Sequence, residues 1–338
     1  MRGATVGWRH GVVVATAEDR IVLDAVSGHG LSQDDHVFVT HAHADHLYGL
    51  RSKSKKYATA ETFEIYEQIT QRPAQNKVSL KMGKKTKIGD IAVVPLDAGH
   101  MLGSVQFLVE LPEKTVLYTG DINCVGTLTT KHADVAHCDE LIIEATYGNP
   151  FYVFPPRQLI YARMVEWATR QARSGHVPTF RVYAAGKAQE VIRIINEYTK
   201  LKVLTCSSVS RVNKAHSRHG VDLEYTDLEE SDSASQPSAC IATYARNLQI
   251  PEKSIKAVAT GWALGSQARD FAFPLSSHAD FGQLVEHVKK TRAKKVYVYT
   301  GYADVFCSYL RKKLGISASP LPMLNQRELS DFEPGEST

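Results

Sequence analysis

The sequence predicts a mixed α/β protein in which a β-rich unit is interrupted by an α/β insertion. Three observations predict it. Short apolar runs bounded by turn residues follow one another as far as Gly148, in the pattern of strands. Several of these runs end in His or Asp, where a β scaffold presents reactive groups. After Pro150 the spacing turns helical and then alternates helix with strand.

Taken in order, GVVVAT, RIVLDAVSG, DDHVFVTHA, DIAVVPLDAG, VQFLVELP, TVLYTGD and ELIIEATYG read as strands, with a helix at ETFEIYEQI. PPRQLIYARMVEWATRQAR has helical spacing with Pro near its start, where the missing N–H costs nothing. VPTFRVYAAGKAQEVIRIINEY reads strand, tight turn, helix, and LKVLTCSS is a further strand. The stretch from Glu229 to Ala239 is polar and turn-rich and reads as a surface loop. Strands return at KAVATGW and KKVYVYTGY, with a helix at FGQLVEHVKKT. The expected division is a first unit over 1–150, an insertion over 151–256, a return to the first architecture over 257–320 and a polar tail over 321–338.

Composition sets limits on function. Hydrophobic residues make up 43% and charged residues 22%, so a core forms without staples. Lys and Arg number 40 against 36 Asp and Glu, a net charge of +4 that permits a polyanionic partner without requiring one. The five Cys contain no CxxC pair, which argues against a disulfide framework and a thiolate zinc site. The opening MRGATVGWRHG lacks the apolar core of a signal peptide, and no apolar run is long enough for a bilayer. A soluble, cytoplasmic protein is the expectation.

The strongest chemical signal is His41-Ala-His43-Ala-Asp45-His46, directly after the strand VFVT. Imidazole and carboxylate are the donors zinc takes outside thiolate sites. Alternation sends His41 and His43 to one side, and the turn brings Asp45 and His46 to a neighbouring position, which suits two metals in one cleft. His100 in DAGH and Asp121 in TGD lie at strand ends beside Gly turns. A carboxylate such as Asp121 can bridge two cations. Asp24, ending IVLD, is a candidate to fix a ligand's tautomer through its second ring nitrogen. Gly186 and Lys187 open a helix after a tight turn, an arrangement that favours a phosphate. The basic stretches RSKSKKY and KMGKKTK read as solvated ends near a helix, with a phosphate backbone as the sharper alternative. Trp8, Trp167 and Trp262 read as core or interface residues, and His216 and His219 as surface residues of the insertion.

HAHADH, DAGH and TGD, in that order, resemble the metallo-β-lactamase superfamily. Glu144-Ala-Thr-Tyr-Gly, Gly186-Lys-Ala-Gln-Glu and Ser276-Ser277-His278-Ala-Asp resemble motifs of its nucleic-acid-cutting β-CASP branch. The compact insertion looks most like that of the DNA-ligase-associated exonucleases, with mRNA 3′-end-processing-like proteins as the wider comparison. The resemblance implies an αββα sandwich with an inserted β-CASP cap, and two Zn2+, the second weak or exchangeable with Mn2+ or Mg2+. It implies that His41, His43 and His100 hold the first metal, Asp45 and His46 the second, and Asp121 both. Glu144 would stand behind the ligands beside Asp24. His278 would be a second-metal ligand or the general acid, and Gly186, Lys187, Ser276 and Ser277 would face phosphate. The implied activity is a nuclease, a DNA 5′ exonuclease in repair with DNA ligase or other repair proteins as partners. RNA processing or decay and small-molecule hydrolysis are the alternatives. One position departs from the pattern. Many RNA-processing members carry a further His where this chain has Thr300, which leans towards DNA. Purified protein is expected to carry one to two metal ions per chain, the second more easily lost. Elemental analysis that finds no zinc, manganese or iron after metal-supplemented expression refutes this.

Overall fold

In the computed structural model of this protein, residues 4–28, 31–230, 237–245, 248–265 and 271–324 are described. The first sheet holds β1 (Thr5–Trp8), β2 (Val12–Ala15), β3 (Arg20–Leu23), β4 (His36–Phe38), β5 (Lys55–Thr59) and β6 (Lys77–Leu80) in chain order, with α1 (Ala60–Thr70) before β6. The second sheet starts with β7 (Thr86–Ile88), β8 (Ile91–Asp97), β9 (Val105–Glu110), β10 (Thr115–Tyr118) and β11 (Glu140–Ile143). Before that sheet is complete the chain builds a third one. This takes α2 (Arg157–Arg173), β12 (Val177–Arg181), α3 (Lys187–Tyr198), β13 (Lys202–Thr205), α4 (Ser207–Arg218), β14 (Thr226–Asp227), β15 (Ser238–Ala242), β16 (Ser254–Ala259) and β17 (Ala272–Phe273). The chain then returns through α5 (Phe281–Thr291), β18 (Lys295–Val298), α6 (Ala303–Leu314) and β19 (Ala318–Pro320). The second sheet runs β19-β18-β11-β10-β9-β8-β7, and the third, all parallel, runs β14-β13-β15-β12-β16-β17.

Side-chain alternation divides each strand between two layers. In β2, Val12 and Val14 join Phe107, Val109 and Tyr118 of the second sheet, while Val13 and Ala15 face outward towards Phe63 of α1 and Val212 of α4. On the far side, Leu117, Leu141 and Ile143 lie under Leu284 of α5 and Phe306 and Leu310 of α6. The layers are therefore helix, sheet, sheet, helix, the αββα arrangement that the resemblance implied. Burial on both faces is why VVVA is an unbroken apolar run rather than an alternating one. The third sheet has its own core, in which Met164 and Trp167 of α2 and Val191 and Ile195 of α3 close over Phe180 and Phe273.

Several expectations are revised. The boundary at 256 falls inside β16, which pairs with β12 and belongs to the third sheet. An apolar run identifies a strand but not the sheet that takes it. The loop expected from Glu229 to Ala239 ends in a central strand, since Ser238 and Ala239 open β15; residues 231–236 lie outside the described residues. Of the tail, residues 325–338 lie outside them as well, but 321–324 are packed: Trp8 N–H donates to the Pro322 carbonyl at 2.8 Å and Leu324 N–H to the Trp8 carbonyl at 3.0 Å. Helix α4 buries His216 completely, and His219 Nε2 lies 2.8 Å from Glu64 of α1, so neither is a free surface histidine. Lys56, in RSKSKKY, is also fully buried, and its ammonium donates to the carbonyls of Ser54 and Gln75. Trp167 meets Phe180 edge-on with ring centroids 5.1 Å apart. Trp167→Ala should cost about 3–5 kcal/mol, the usual loss for truncating a buried aromatic. Denaturant unfolding followed by circular dichroism reads the loss, and a midpoint equal to wild type refutes this packing role.

Candidate metal centre

The loop after β4 carries three histidines towards one point because a buried carboxylate behind it takes up the outward-facing donors. Asp24 holds a left-handed backbone with φ of 47°, a conformation that Asp tolerates better than most residues. Its oxygens accept Thr40 N–H at 2.7 Å, Thr40 Oγ1 at 2.6 Å, His46 Nδ1 at 2.8 Å and Tyr118 Oη at 2.9 Å. Thr40 gives its hydroxyl proton to Asp24, so it accepts from His41 Nδ1 at 3.0 Å. His43 Nε2 donates to the Ala185 carbonyl at 3.2 Å, and His100 Nδ1 to the Ser277 carbonyl at 2.9 Å. Carbonyls only accept, so each partner fixes the tautomer of its histidine. In His41, His43 and His100 the outer nitrogen carries the proton and the inner lone pair faces inward; His46, with Nδ1 on Asp24, turns its Nε2 the same way.

Four ring nitrogens, those of His41, His46, His100 and His278, converge on Asp121. Its Oδ2 lies 3.5 Å from His41 Nε2, 3.6 Å from His46 Nε2, 3.8 Å from His100 Nε2 and 4.0 Å from His278 Nε2. His43 Nδ1 and His100 Nε2, both proton-free in these tautomers, face each other at 3.0 Å. His41 Nε2 is buried with no hydrogen-bond partner. Buried acceptors left unpaired are costly, and a divalent cation satisfies them all at once. The donor set therefore fits a metal. His41, His43, His100 and Asp121 have ligand atoms within 4.8 Å of one another, and so do Asp121, Glu144 and His278. Asp45 stands apart from both groups, its carboxylate mostly exposed and 3.6 Å from His46 Nε2.

Burial depresses His41 and His100 well below the ordinary imidazole value and takes His43 to about 4, so all three are neutral, the form that binds metal. Burial also opposes charge on His46, but the carboxylates of Asp24 and Asp121 outweigh it and raise the ring to about 10. His278 behaves alike: burial opposes charge, and Glu144 and Asp121 overcome it to reach about 9. Glu144 is buried beneath His278, receiving Nδ1 at 2.9 Å, Ile122 N–H at 2.8 Å and the Thr146 hydroxyl. His278 is aimed by its surroundings. Asp280 two residues on caps α5, and Ser276 Oγ bonds both the N–H and the carbonyl of His278 at 2.9 Å.

The residues expected to face phosphate divide. The N–H groups at the start of α3 are spent internally: Gly186 on Gln189 Oε1, Lys187 on the Ala185 carbonyl and Ala188 on the Tyr183 carbonyl. Gly186, at φ of 81°, instead lets the backbone turn close to His43, and Ser276 is committed to its own turn. Lys187 is not solvated. Its ammonium is buried without a hydrogen-bond partner, 3.6 Å from Glu190, at the wall of the cleft. Burial holds it down to about 8. Ser277 and Thr300 line the same cleft, whose volume is about 660 Å³. Sequence reasoning missed Tyr118 and Tyr299, the latter donating to Asp121 Oδ1 at 3.4 Å; each stands directly before a Thr-Gly pair at the end of an apolar run. It also misread Trp262, which is half exposed at the cleft.

Residues 17–179 match a family described as the Beta-lactamase superfamily domain. The chain is similar to a "Probable DNA ligase" of Opitutus terrae, 28% identical over 86% of this chain and 29% of that protein. It is similar to an "RNase J-like protein" of Methanocaldococcus jannaschii, 32% identical over 56% of this chain and 52% of that one. A third relative is "5' exonuclease Apollo" of Gallus gallus, 24% identical over 75% of this chain and 55% of that one. The chain thus spans about half the length of these curated relatives, or less. In fold it is similar to a crystal structure of a protein of unknown function from Enterococcus faecalis V583, with a TM-score of 0.66 at 14% identity, covering 94% of this chain and 98% of that one. Among the described residues no helix is long and apolar enough to cross a membrane. Asp24→Asn keeps a residue that tolerates the left-handed backbone but loses the charge that orients His46 and Thr40. Metal affinity measured by chelator competition should fall about 10- to 100-fold, and an unchanged affinity refutes the orienting role.

Proposed function

Because the chain carries a beta-lactamase superfamily domain and its relatives lie in the β-CASP nuclease branch, we propose that it is a zinc-dependent nuclease that cuts DNA phosphodiester bonds from a 5′ end. The observation that carries this reading is the convergence of four imidazoles on Asp121, with His43 beside them, in an open cleft whose wall holds a buried lysine paired by charge with Glu190. His41, His43 and His100 would hold one cation, Asp45 and His46 the second, with Asp121 in reach of both. His278, with Nδ1 pinned by Glu144 and Nε2 turned to Asp121, would complete the donors of the second cation, where Thr300 offers no further imidazole. A pair of zinc ions supplies Lewis acidity towards a phosphoryl oxygen and lowers the pKa of bound water.

The chain's own residues do the rest. Asp24 and Glu144 hold the rings of His46 and His278 in one tautomer, so no reorganisation is needed when the substrate arrives. Lys187 places a positive charge beside the phosphate, and Ser277 lines the same wall. The third sheet and its helices act as a cap that forms one wall of the cleft. Attack at phosphorus leaves a 5′-phosphate and a 3′-hydroxyl. Two observations favour DNA, the Thr300 position and the likeness to a DNA-ligase-named protein, which also points to a ligase or other repair protein as partner. The RNase J-like relative supports RNA as the second reading.

A panel of 5′- and 3′-labelled DNA and RNA strands tests the proposal. Stepwise loss of nucleotides from the 5′ end of DNA is expected, and no cutting of any strand by metal-loaded protein overturns it. Asp121→Ala should lower the rate by roughly a thousandfold or more, about 4 kcal/mol of barrier. His278→Ala should retain one metal and lose the second; full dinuclear occupancy in that variant makes His278 a proton donor instead of a ligand.

A further inference from the structure

Two large aromatic side chains stand exposed in the metal cleft, after the neighbouring strands β12 and β16, and the nuclease reading does not yet use them. Tyr183 follows β12 and is 66% exposed, and Trp262 follows β16 and is 54% exposed; both line the cleft. Neither is a loose surface ring. Trp262 is backed by Tyr147, with centroids 4.8 Å apart, and meets Tyr152 edge-on at 5.4 Å. Its backbone N–H donates to Thr260 Oγ1 at 3.4 Å, and Gly261 beside it leaves room where a Cβ would lie 2.4 Å from the Tyr147 hydroxyl. Tyr183 is backed by Tyr244 at 5.6 Å. Rings held from behind with an open outer face are ordered surfaces, and apolar area of this size exposed beside polar ligands marks a binding surface.

Their placement relative to the metal centre is specific. The Tyr183 ring lies 6.4 Å from that of His43, and the Tyr147 ring that supports Trp262 lies 6.0 Å from His278. His43 and His278 are joined across the site by His100, at 4.8 and 4.5 Å. Tyr183 therefore stands at the His43 end of this row of rings and Trp262, through Tyr147, at the His278 end. A phosphate at Asp121 has one exposed aromatic face near each end of the row.

Resting on the nuclease reading above, we propose that Tyr183 and Trp262 are base-stacking platforms on either side of the scissile phosphate. They select single-stranded substrate with a base on each side. In a duplex every base face is already stacked on its neighbour and only groove edges remain accessible; an unpaired strand can offer its faces to the protein. Such stacking tolerates any base, because every base has a π-face.

The test uses full-length Asp121→Asn protein, loaded with zinc and impaired in cutting, and short oligo(dT) as the probe. The protein should bind the single strand more tightly than a duplex of equal length, and the strand should quench Trp262 emission. In that background Trp262→Ala should weaken single-strand binding about 5- to 140-fold, the range of one base–aromatic stack, with Trp262→Phe recovering most of it. An abasic site placed across from Trp262 should weaken binding to the tryptophan protein and hardly change binding to Trp262→Ala. A merely structural tryptophan would give additive losses instead. Equal binding of duplex and single strand, or additive losses in that cycle, overturns the proposal while leaving the nuclease reading intact. Failure of the wild-type protein to bind or cut any nucleic acid overturns the nuclease reading itself.

Discussion

Asp24 sits between the two facing sheets and accepts four hydrogen bonds from three parts of the chain: Thr40 after β4, His46 in the ligand loop and Tyr118 at the end of β10. A buried carboxylate is tolerated only when its oxygens are saturated. Here the saturation does structural work beyond solvation. The Thr40 bonds turn His41, the His46 bond turns His46, and the Tyr118 bond ties the ligand loop to the opposite sheet. Burial and the Asp24 charge together push the Tyr118 phenol far above its ordinary value, so it remains a donor at any accessible pH. The rest of the site inherits its orientation from this one group.

The other half of the centre is assembled from distant segments by the same device, an acceptor that fixes the far side of a ring. The Ser277 carbonyl, at the return from the third sheet, orients His100, and Glu144 at the end of β11 orients His278. The Ala185 carbonyl, just before α3, orients His43. The inserted unit therefore contributes to the ligand geometry itself, and the Glu61 and Glu64 side of α1 is tied to α4 through Arg218 and His219. Fixing the insertion at both places keeps the Ala185 carbonyl within reach of His43.

Much of this was legible in the sequence because the ligand types are chemically uncommon at such density. Four of the six residues from His41 to His46 are metal donors, and apolar strands ending in DAGH and TGD supply the remainder. The four layers came with the family resemblance that these motifs carry, and the unbroken apolar runs fit strands covered on both faces. What one-dimensional pattern could not carry was the side of a surface on which a residue falls. Lys187 reads as a phosphate-facing helix start and is buried beside Glu190; Trp262 reads as a core or interface residue and is half exposed; His216 reads as surface and is enclosed by α4. Likewise KAVATGW is visibly a strand, but only pairing with β12 assigns it to the third sheet. Helix α4 escaped notice because its serines and basic residues mask the short apolar stripe of Val209, Val212 and Ala215.

The position of the insertion also bears on how the chain reaches this structure. Strand β11 lies directly beside β18, with Glu140 opposite Lys295 and Ile143 opposite Val298, yet the whole third sheet is synthesised between them. Such a pairing closes one of the longest loops in the molecule, and long-range parallel pairings are slow to form. During translation the edge of β11 stays unpaired until the ribosome has delivered the insertion and α5, while the third sheet can gather its own core around Trp167 and Phe180. The candidate site residues run from His41 to His278, so the constellation is complete only once the insertion has been delivered. A nascent chain that ends before β18 exposes the apolar edge of β11, the kind of unpaired strand edge that chaperones shield.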